Sequence, residues 1–127
     1  MNIPENLKYT VSHEWVKIEG EKATIGITDY AQDNLGDVVF VELPKVGLDV
    51  EAAKEAAVIE SVKTAADVYT PVSGKVTKVN SSLEKDPSII NSDPYGKGWI
   101  FEIEIGNKDD IEKLMDAQIY ENKISED

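Results

Sequence analysis

The sequence predicts a mainly β fold, a flattened antiparallel β-barrel or sandwich with short helices and one helix near the C-terminal end. Short apolar runs rich in Val, Ile and aromatic residues recur along the 127 residues and end at turn-forming residues. Two of these runs, residues 75–79 and 99–105, alternate apolar and polar side chains, as strands with one exposed face do. Strands therefore dominate the predicted structure.

The first elements are predicted to be a hairpin and a short helix. Residues 14–28 alternate on both sides of a glycine turn, which is typical of a half-buried strand pair. Asp29 and Gln32 resemble a capping box, and Gly36 is a natural C-terminal stop. We therefore expect a helix over residues 30–35.

A nearly continuous β-branched and aromatic run, residues 38–41, follows this helix and ends at Leu43-Pro44. Strands covered on both faces have this pattern, so it is predicted to be the core strand.

The next segment contains Lys63 and has two interpretations. Residues 51–57 are strong helix formers, and propensity alone would continue a helix through Lys63. Val58-Ile59 and Val68-Tyr69 are instead β-favouring runs, which would hold Lys63 among small residues in a connecting turn. Even there, a lysine is most often only a solvated surface charge.

The second half of the chain is predicted to form two strands and a helix. Residues 75–79 and 99–105 are the strands, and the exposed face of the second explains the paired carboxylates Glu102 and Glu104. An amphipathic C-terminal helix, docked on the sheet, is expected to open at Asp109 or Asp110 and to use Ile111, Leu114, Met115 and Ile119.

Length and composition limit the possible functions. Residues 1–127 are expected to form a single domain, with 122–127 as a frayed tail. The 25 acidic and 13 basic residues give a net charge of −12, which disfavours nucleic acid and anionic membranes and favours partners with basic faces. Cysteine is absent, so any sulfur chemistry must come from an attached group. Residues 1–9 have no export or organelle signal pattern, and the expected location is cytoplasmic.

A search for catalytic motifs finds none. His13 is the single histidine, which excludes a multi-histidine metal site, and nothing nominates a serine to act with it. The chain has no Gly-rich phosphate loop, and its aspartates lack calcium-loop spacing. We therefore expect no catalytic residues and no metal. His13 beside Glu14 is expected to be a structural pair at the start of the first strand.

Several motifs, taken in chain order, resemble the H-protein family of the glycine cleavage system. They are His13-Glu14-Trp15-Val16, Ile25-Gly26-Ile27-Thr28, Tyr30-Ala31-Gln32, the stretch from Leu35-Gly36-Asp37 to Glu42-Leu43-Pro44, Glu60-Ser61-Val62-Lys63, Asp67-Val68-Tyr69, Pro71-Val72-Ser73-Gly74 and Asp93-Pro94-Tyr95-Gly96-Lys97-Gly98-Trp99. The resemblance implies the biotinyl/lipoyl-carrier fold (hybrid motif) and decides the open question in favour of a β-turn at Lys63.

The resemblance also implies site residues. Lys63 matches the lysine that carries lipoic acid as N6-lipoyllysine, and Glu60 in the same motif is expected to be recognised by the lipoate-attaching enzyme. Glu14 and Asp67 match positions near the lipoyl-lysine arm when it carries an aminomethyl group, and both are expected to shelter this loaded arm. The chain departs from the family at Ala52-Ala53, where a glycine is usual, and at Ala66, where serine is frequent.

The implied partners are the enzymes of glycine catabolism. Glycine decarboxylase (P protein) would load an aminomethyl group on the arm, and the tetrahydrofolate-dependent aminomethyltransferase (T protein) would remove it. Dihydrolipoyl dehydrogenase (L protein) would reoxidise the arm. The chain itself would be a non-catalytic carrier. Alternatives are a lipoyl relay that donates lipoate to other enzymes, a biotin carrier, and an interaction domain with an unmodified Lys63.

Overall fold

The computed structural model describes residues 1–125, which form two antiparallel sheets and several short helices. The strands are β1 (Lys8–Tyr9), β2 (Glu14–Glu19), β3 (Lys22–Ile27), β4 (Val38–Glu42), β5 (Asp49–Val50), β6 (Glu55–Ser61), β7 (Ala65–Tyr69), β8 (Gly74–Val79) and β9 (Phe101–Ile105). The helices are α1 (Asp29–Leu35), α2 (Ser82–Lys85), α3 (Ile89–Ser92), a 3₁₀ helix (Lys108–Lys113) and α4 (Ala117–Ser125).

The larger sheet has the strand order β1-β2-β3-β9-β8-β5, and the smaller sheet has the order β4-β6-β7. The mainly antiparallel β prediction is confirmed, and within residues 1–125 the strands pair as two sheets and not as one closed barrel. The main core lies between the sheets and takes side chains from both, such as Ile25 and Ile103 from the larger and Val41 and Ile59 from the smaller.

A second apolar cluster attaches the C-terminal region to the first hairpin. It contains Leu7, Tyr9, Trp15, Ala117 and Tyr120, all of them buried. Trp15 lies across the neighbouring strand, where a Cβ at Gly26 would be only 2.6 Å from the indole ring. Glycine is therefore required at this close approach.

The first hairpin and α1 agree with the sequence prediction, except that the cap lies one residue earlier. Thr28 is the N-cap, and its hydroxyl accepts the Ala31 N–H at 3.2 Å. Asp29 instead begins the helix and accepts a hydrogen bond from the Gln32 side chain. Gly36 ends the helix with φ 77°, as its glycine predicted.

The prediction that β4 is a core strand covered on both faces is wrong. β4 is an edge strand of the smaller sheet, and Val39 and Phe40 are each about half exposed, at 53% and 51%. The register with β6 shifts between Val38 and Phe40. A bulge of this kind turns two successive side chains to the same face, so only Val38 and Val41 point into the core.

The segment before Lys63 is a strand, as the family resemblance implied and against its helix propensity. β6 is hydrogen-bonded to β4 on one side and to β7 on the other. Its alternate residues Ala57, Ile59 and Ser61 are buried. Two ladders and a buried face outweigh the few tenths of a kcal/mol per residue, roughly, that separate helix formers from β formers.

A single C-terminal helix opening at Asp109 or Asp110 was also a wrong prediction. The 3₁₀ helix ends at Lys113, and Met115 then pairs with Tyr9 through two backbone hydrogen bonds of 2.8 Å. An extended residue in this pairing cannot be helical, so α4 starts afresh at Ala117.

The face that α4 buries also differs from the prediction. Ala117 and Tyr120 are buried, whereas Ile119 is 52% exposed. α4 includes residues 122–125, where a frayed end was expected. Residues 126 and 127 of that predicted tail lie outside the described part of the chain. None of the helices in residues 1–125 is long and apolar enough to cross a bilayer.

Ala53, one of the two alanines in the segment where a glycine was expected from the family resemblance, has a left-handed backbone. Its φ is 68°, a left-handed conformation that costs an L-residue about 1–2 kcal/mol. Glycine would remove this cost but would gain about 0.4–1 kcal/mol of freedom in the unfolded chain. We expect Ala53→Gly to raise the free energy of unfolding by about 0.5–1 kcal/mol in a denaturant titration.

The neighbouring Ala52→Gly is the matched control, because Ala52 is not among the left-handed residues of the described chain. It should lower the free energy of unfolding by roughly 0.5–1 kcal/mol. Equal losses in both variants would contradict the strain at Ala53.

Candidate functional site

Lys63 lies in a three-residue turn between β6 and β7, and the side chain of Ser61 closes this turn. The Ser61 N–H donates to the Thr64 carbonyl at 2.7 Å. The Ser61 hydroxyl accepts the N–H groups of Lys63 and Thr64 at 3.3 and 3.2 Å, and it donates to the Thr64 carbonyl. The Val62 N–H donates to the Asp37 carbonyl at 3.0 Å, which ties the turn to the start of β4. The backbone at Lys63 is therefore held on both sides.

The Lys63 side chain is exposed and runs past the end of α1. A Cβ at Gly36 would lie 3.4 Å from Lys63 Cε and 3.9 Å from Nζ. Even such a Cβ would make only ordinary van der Waals contact, so the end of α1 does not obstruct the lysine side chain. Lys63 takes part in none of the ion pairs found among residues 1–125. Its amine is accessible to an enzyme that approaches the turn.

Glu60 lies on the outer, solvent-exposed face of the smaller sheet. Strand register places it in a row between Phe40 and Ala65, and the next row contains Glu42, Val58 and Asp67. Both rows combine carboxylates with apolar side chains and contain no lysine. This face continues directly to the Lys63 turn.

A cleft of about 180 Å³ lies between α1 and β7 and extends from near the turn toward β2. Ala66 and Asp67 line it from β7, and Asn34 and Leu35 line it from α1. Asp67 is exposed there, whereas Glu14 lies at the far end and is only 1% exposed. The structure thus brings Glu14 and Asp67, which lies on the edge strand β7, to one cleft, whereas Glu60 does not line it.

Glu14 is a buried carboxyl group with several hydrogen-bond donors. Its Oε1 accepts the hydroxyls of Thr10 at 2.6 Å and Ser12 at 2.5 Å, and its Oε2 accepts the Tyr69 N–H at 3.3 Å. Burial raises the pKa of the Glu14 carboxyl, and these donors oppose the shift because they stabilise the ionised form. The group is therefore oriented and can accept a further hydrogen bond at the cleft.

His13 also lines the cleft, directly before β2. Its Nδ1 lies 2.9 Å from the Tyr120 hydroxyl, and its ring contacts Tyr30 with centroids 4.7 Å apart. The backbone of His13 is left-handed, with φ 71°. No local pattern pointed to Tyr120, because its partner His13 lies 107 residues away in the chain.

Sequence reasoning missed other residues of the site as well. Thr10 and Ser12 were not singled out, although hydroxyl residues two and four positions before a buried carboxyl are a usable signal. Gly36 was interpreted only as a helix stop. Among residues 1–125 no three potential metal-ligating side chains come together.

Comparison with known proteins places this chain in a family. The sequence profile described as "Glycine cleavage H-protein" matches residues 7–127. The chain is 57% identical over 121 residues to a glycine cleavage system H protein of Acinetobacter baumannii, covering 95% of this chain and 98% of that protein. It is 52% identical over 124 residues to the H protein of Thermus thermophilus, covering 98% and 97%.

The fold agrees with the sequence comparison. The crystal structure of a glycine cleavage system H protein from Mycobacterium marinum superimposes with a TM-score of 0.86 at 36% identity, covering 97% of this chain and 99% of that one. Because the profile spans nearly the whole chain and the relatives match over almost their full length, this chain belongs to the glycine cleavage H-protein family.

Proposed function

We propose that the chain is a lipoyl carrier whose attachment residue is Lys63. The observation that carries the proposal is the exposed Lys63 amine on a turn closed by Ser61, at one end of a cleft that leads to a buried carboxyl group. The residues present fit a lipoyl group, because the Lys63 amine is exposed on its turn and takes part in none of the ion pairs found among residues 1–125. When bound, the group supplies a dithiolane that accepts a carbon unit on reduction and is reoxidised by thiol–disulfide exchange.

The proposed partners are the enzymes of glycine cleavage. The carrier receives an aminomethyl group at glycine decarboxylase (P protein) and delivers it at the tetrahydrofolate-dependent aminomethyltransferase (T protein). Dihydrolipoyl dehydrogenase (L protein) and a lipoate-attaching enzyme complete the set. The proposed location is the cytoplasm. A tether on one lysine gives an effective concentration on the order of mM at a docked active site, so weak docking suffices.

In this proposal, the side chains of the chain bind and orient the arm and the group it carries, and they do not catalyse the making or breaking of bonds. The Lys63 turn presents the lysine amine, and the neighbouring Glu60 is the proposed contact for the lipoate-attaching enzyme. In the cleft, the carboxylates of Glu14 and Asp67 can hold a cationic amine by charge-assisted hydrogen bonds. The apolar walls at Leu35 and Val68 limit the access of water.

Lys63→Arg should abolish lipoylation and leave the fold intact. Arginine keeps the charge, but its guanidinium remains protonated and is a poor acyl acceptor. Because residue 63 is exposed in a turn, the free energy of unfolding should change by no more than about 0.5 kcal/mol. Intact-mass spectrometry after incubation with the lipoate-attaching enzyme measures the result, and the mass also distinguishes lipoate from biotin.

Lys54→Arg, at an exposed lysine just before β6, is the matched control and should remain fully lipoylated. Glu60→Ala should slow lipoylation without blocking it, whereas Glu55→Ala, at the exposed far end of the same strand, should not. Uptake of lipoate by Lys63→Arg would overturn the assignment.

Docking to the partner enzymes should depend on salt. The net charge of −12 and the outer sheet face without lysine favour long-range attraction to basic surfaces, which ionic strength screens. We expect turnover at subsaturating carrier to fall severalfold as salt rises from low to high. Dihydrolipoyl dehydrogenase acting on free dihydrolipoamide is the control, because that substrate lacks the acidic domain. An equal response in both assays would argue against steering by this chain.

Glu14→Gln and Asp67→Asn should each weaken the shelter of the loaded arm. Both changes keep the shape of the side chain and remove the negative charge that holds the amine, so spontaneous formaldehyde release should accelerate by roughly three- to tenfold. Release is measured from loaded protein in the absence of the transferase. Glu104→Gln, an exposed carboxylate on the larger sheet, is the control. Identical rates of formaldehyde release in the wild type and the three variants would mean that Glu14 and Asp67 do not shelter the arm.

A further inference from the structure

The phenol of Tyr120 connects the C-terminal helix α4 to both sides of the cleft. Its hydroxyl lies 2.7 Å from Thr28 Oγ1 and 2.9 Å from His13 Nδ1. The Tyr120 side chain is completely buried. Thr28 precedes α1 and His13 precedes β2, so one hydroxyl bonds to the starting points of two different elements.

On the α1 side, the connection reaches Lys63. Thr28 Oγ1 accepts the Ala31 N–H and so fixes the first turn of α1. Ala31 and Leu35 line the cleft along this helix. The helix ends at Gly36, where the Lys63 side chain lies. A shift of α1 at Thr28 would therefore move one wall of the cleft and the surface beneath Lys63.

On the β2 side, the hydrogen bond from Tyr120 reaches a residue with an unusual backbone. His13 has φ 71°, a left-handed conformation that is uncommon for residues other than glycine. Its backbone bonds to Thr10 at 3.2 Å and to Thr28 at 3.0 Å. Its ring lies between Tyr120 and Tyr30, with centroid distances of 5.7 and 4.7 Å.

The hydroxyl of Tyr120 has one proton to share between these two neighbours. Burial raises its pKa to about 12, so it stays protonated at neutral pH. In one arrangement the Tyr120 hydroxyl donates to His13 Nδ1 and accepts a hydrogen bond from the Thr28 hydroxyl. In the other, His13 Nδ1 donates to the Tyr120 hydroxyl, which then donates to Thr28. Both arrangements link the three side chains and couple the tautomer of His13 to the direction of the hydrogen bond between Tyr120 and the N-cap Thr28.

We propose that Tyr120 is a positioning residue for the arm cleft, through which α4 fixes α1 and His13 in the arrangement that encloses a group carried on Lys63. The part of this inference that concerns the arm rests on the proposed carrier function. The part that concerns the walls of the cleft does not require an arm.

Tyr9→Phe is a closely matched control for Tyr120→Phe. The two rings stack with centroids 4.7 Å apart, and both are completely buried. The Tyr9 hydroxyl donates to the Pro4 carbonyl at 2.5 Å and so bonds away from the cleft. Each variant removes one buried phenol oxygen from the same stack, but only Tyr120→Phe removes the hydrogen bonds to Thr28 and His13.

The first measurement uses unmodified protein labelled with ¹⁵N. The chain has a single histidine, so the ring nitrogen signals of His13 need no further assignment. We expect Tyr120→Phe to shift these signals and the amide signals of Ala31 and Leu35, and Tyr9→Phe to leave them near the wild-type values. Thr28→Ser, which keeps a hydroxyl, should resemble the wild type, whereas Thr28→Val should resemble Tyr120→Phe. Unchanged signals in Tyr120→Phe, or equal shifts in both phenol variants, would overturn the positioning role.

The second measurement uses lipoylated, loaded protein and follows spontaneous formaldehyde release. Loss of one buried hydrogen bond should accelerate release by about three- to tenfold in Tyr120→Phe, with less than about a twofold change in Tyr9→Phe. If Tyr120→Phe released formaldehyde at the wild-type rate, the proposed effect of Tyr120 on the arm would be overturned. If the wild-type chain is not lipoylated at Lys63, the proposed function fails, and the spectra of unmodified protein still decide whether Tyr120 positions the cleft.

Discussion

The pairing of β6 on both of its edges is the constraint on which the site depends. Along one edge Val41 is opposite Ile59, and along the other Val58 is opposite Asp67. Because side chains alternate, this register buries Ile59 and Ser61 and exposes Glu60, and a shift of one residue would reverse all three. The inward position of Ser61 is what lets its hydroxyl close the Lys63 turn. The core and the exposed lysine are thus consequences of the same ladder.

The opposite end of the cleft depends on polar groups that are buried and fully hydrogen-bonded. Every buried side-chain nitrogen and oxygen in residues 1–125 has a partner. Glu14, Thr28 and Tyr120 are among these buried groups, and each is bonded to an element distant in sequence. Buried polar networks of this kind are costly to break and so give a unique geometry. The walls of the cleft are thereby held in one arrangement.

The chain needs few reactive side chains of its own because a carrier works by presentation. It has no cysteine and one histidine, and all of its basic residues are lysines. Val62 next to Lys63 is exposed, and so is Phe40, which lies opposite Glu60 in a strand row without lysine. In the proposed function, specificity for partners depends on charge and shape around the turn, while the bond chemistry remains with the attached group and the enzymes.

The sequence by itself determined the local elements and pointed to Lys63 as the proposed modification site. Alternation predicted β8 and β9, turn residues predicted the first hairpin, and Gly36 predicted the end of α1, because these signals depend on neighbouring residues. The motif around Lys63 predicted the Lys63 turn only through resemblance to a family, since propensity alone favoured a helix there.

Only the tertiary structure decided which faces are covered and which distant residues meet. The apolar run of β4 looked like a core strand, but its place at a sheet edge leaves Val39 and Phe40 half exposed. The C-terminal helix was divided by the pairing of Met115 with Tyr9, and Tyr120 reached His13 across 107 residues. Contacts between such distant residues depend on chain topology and packing, which local spacing does not encode.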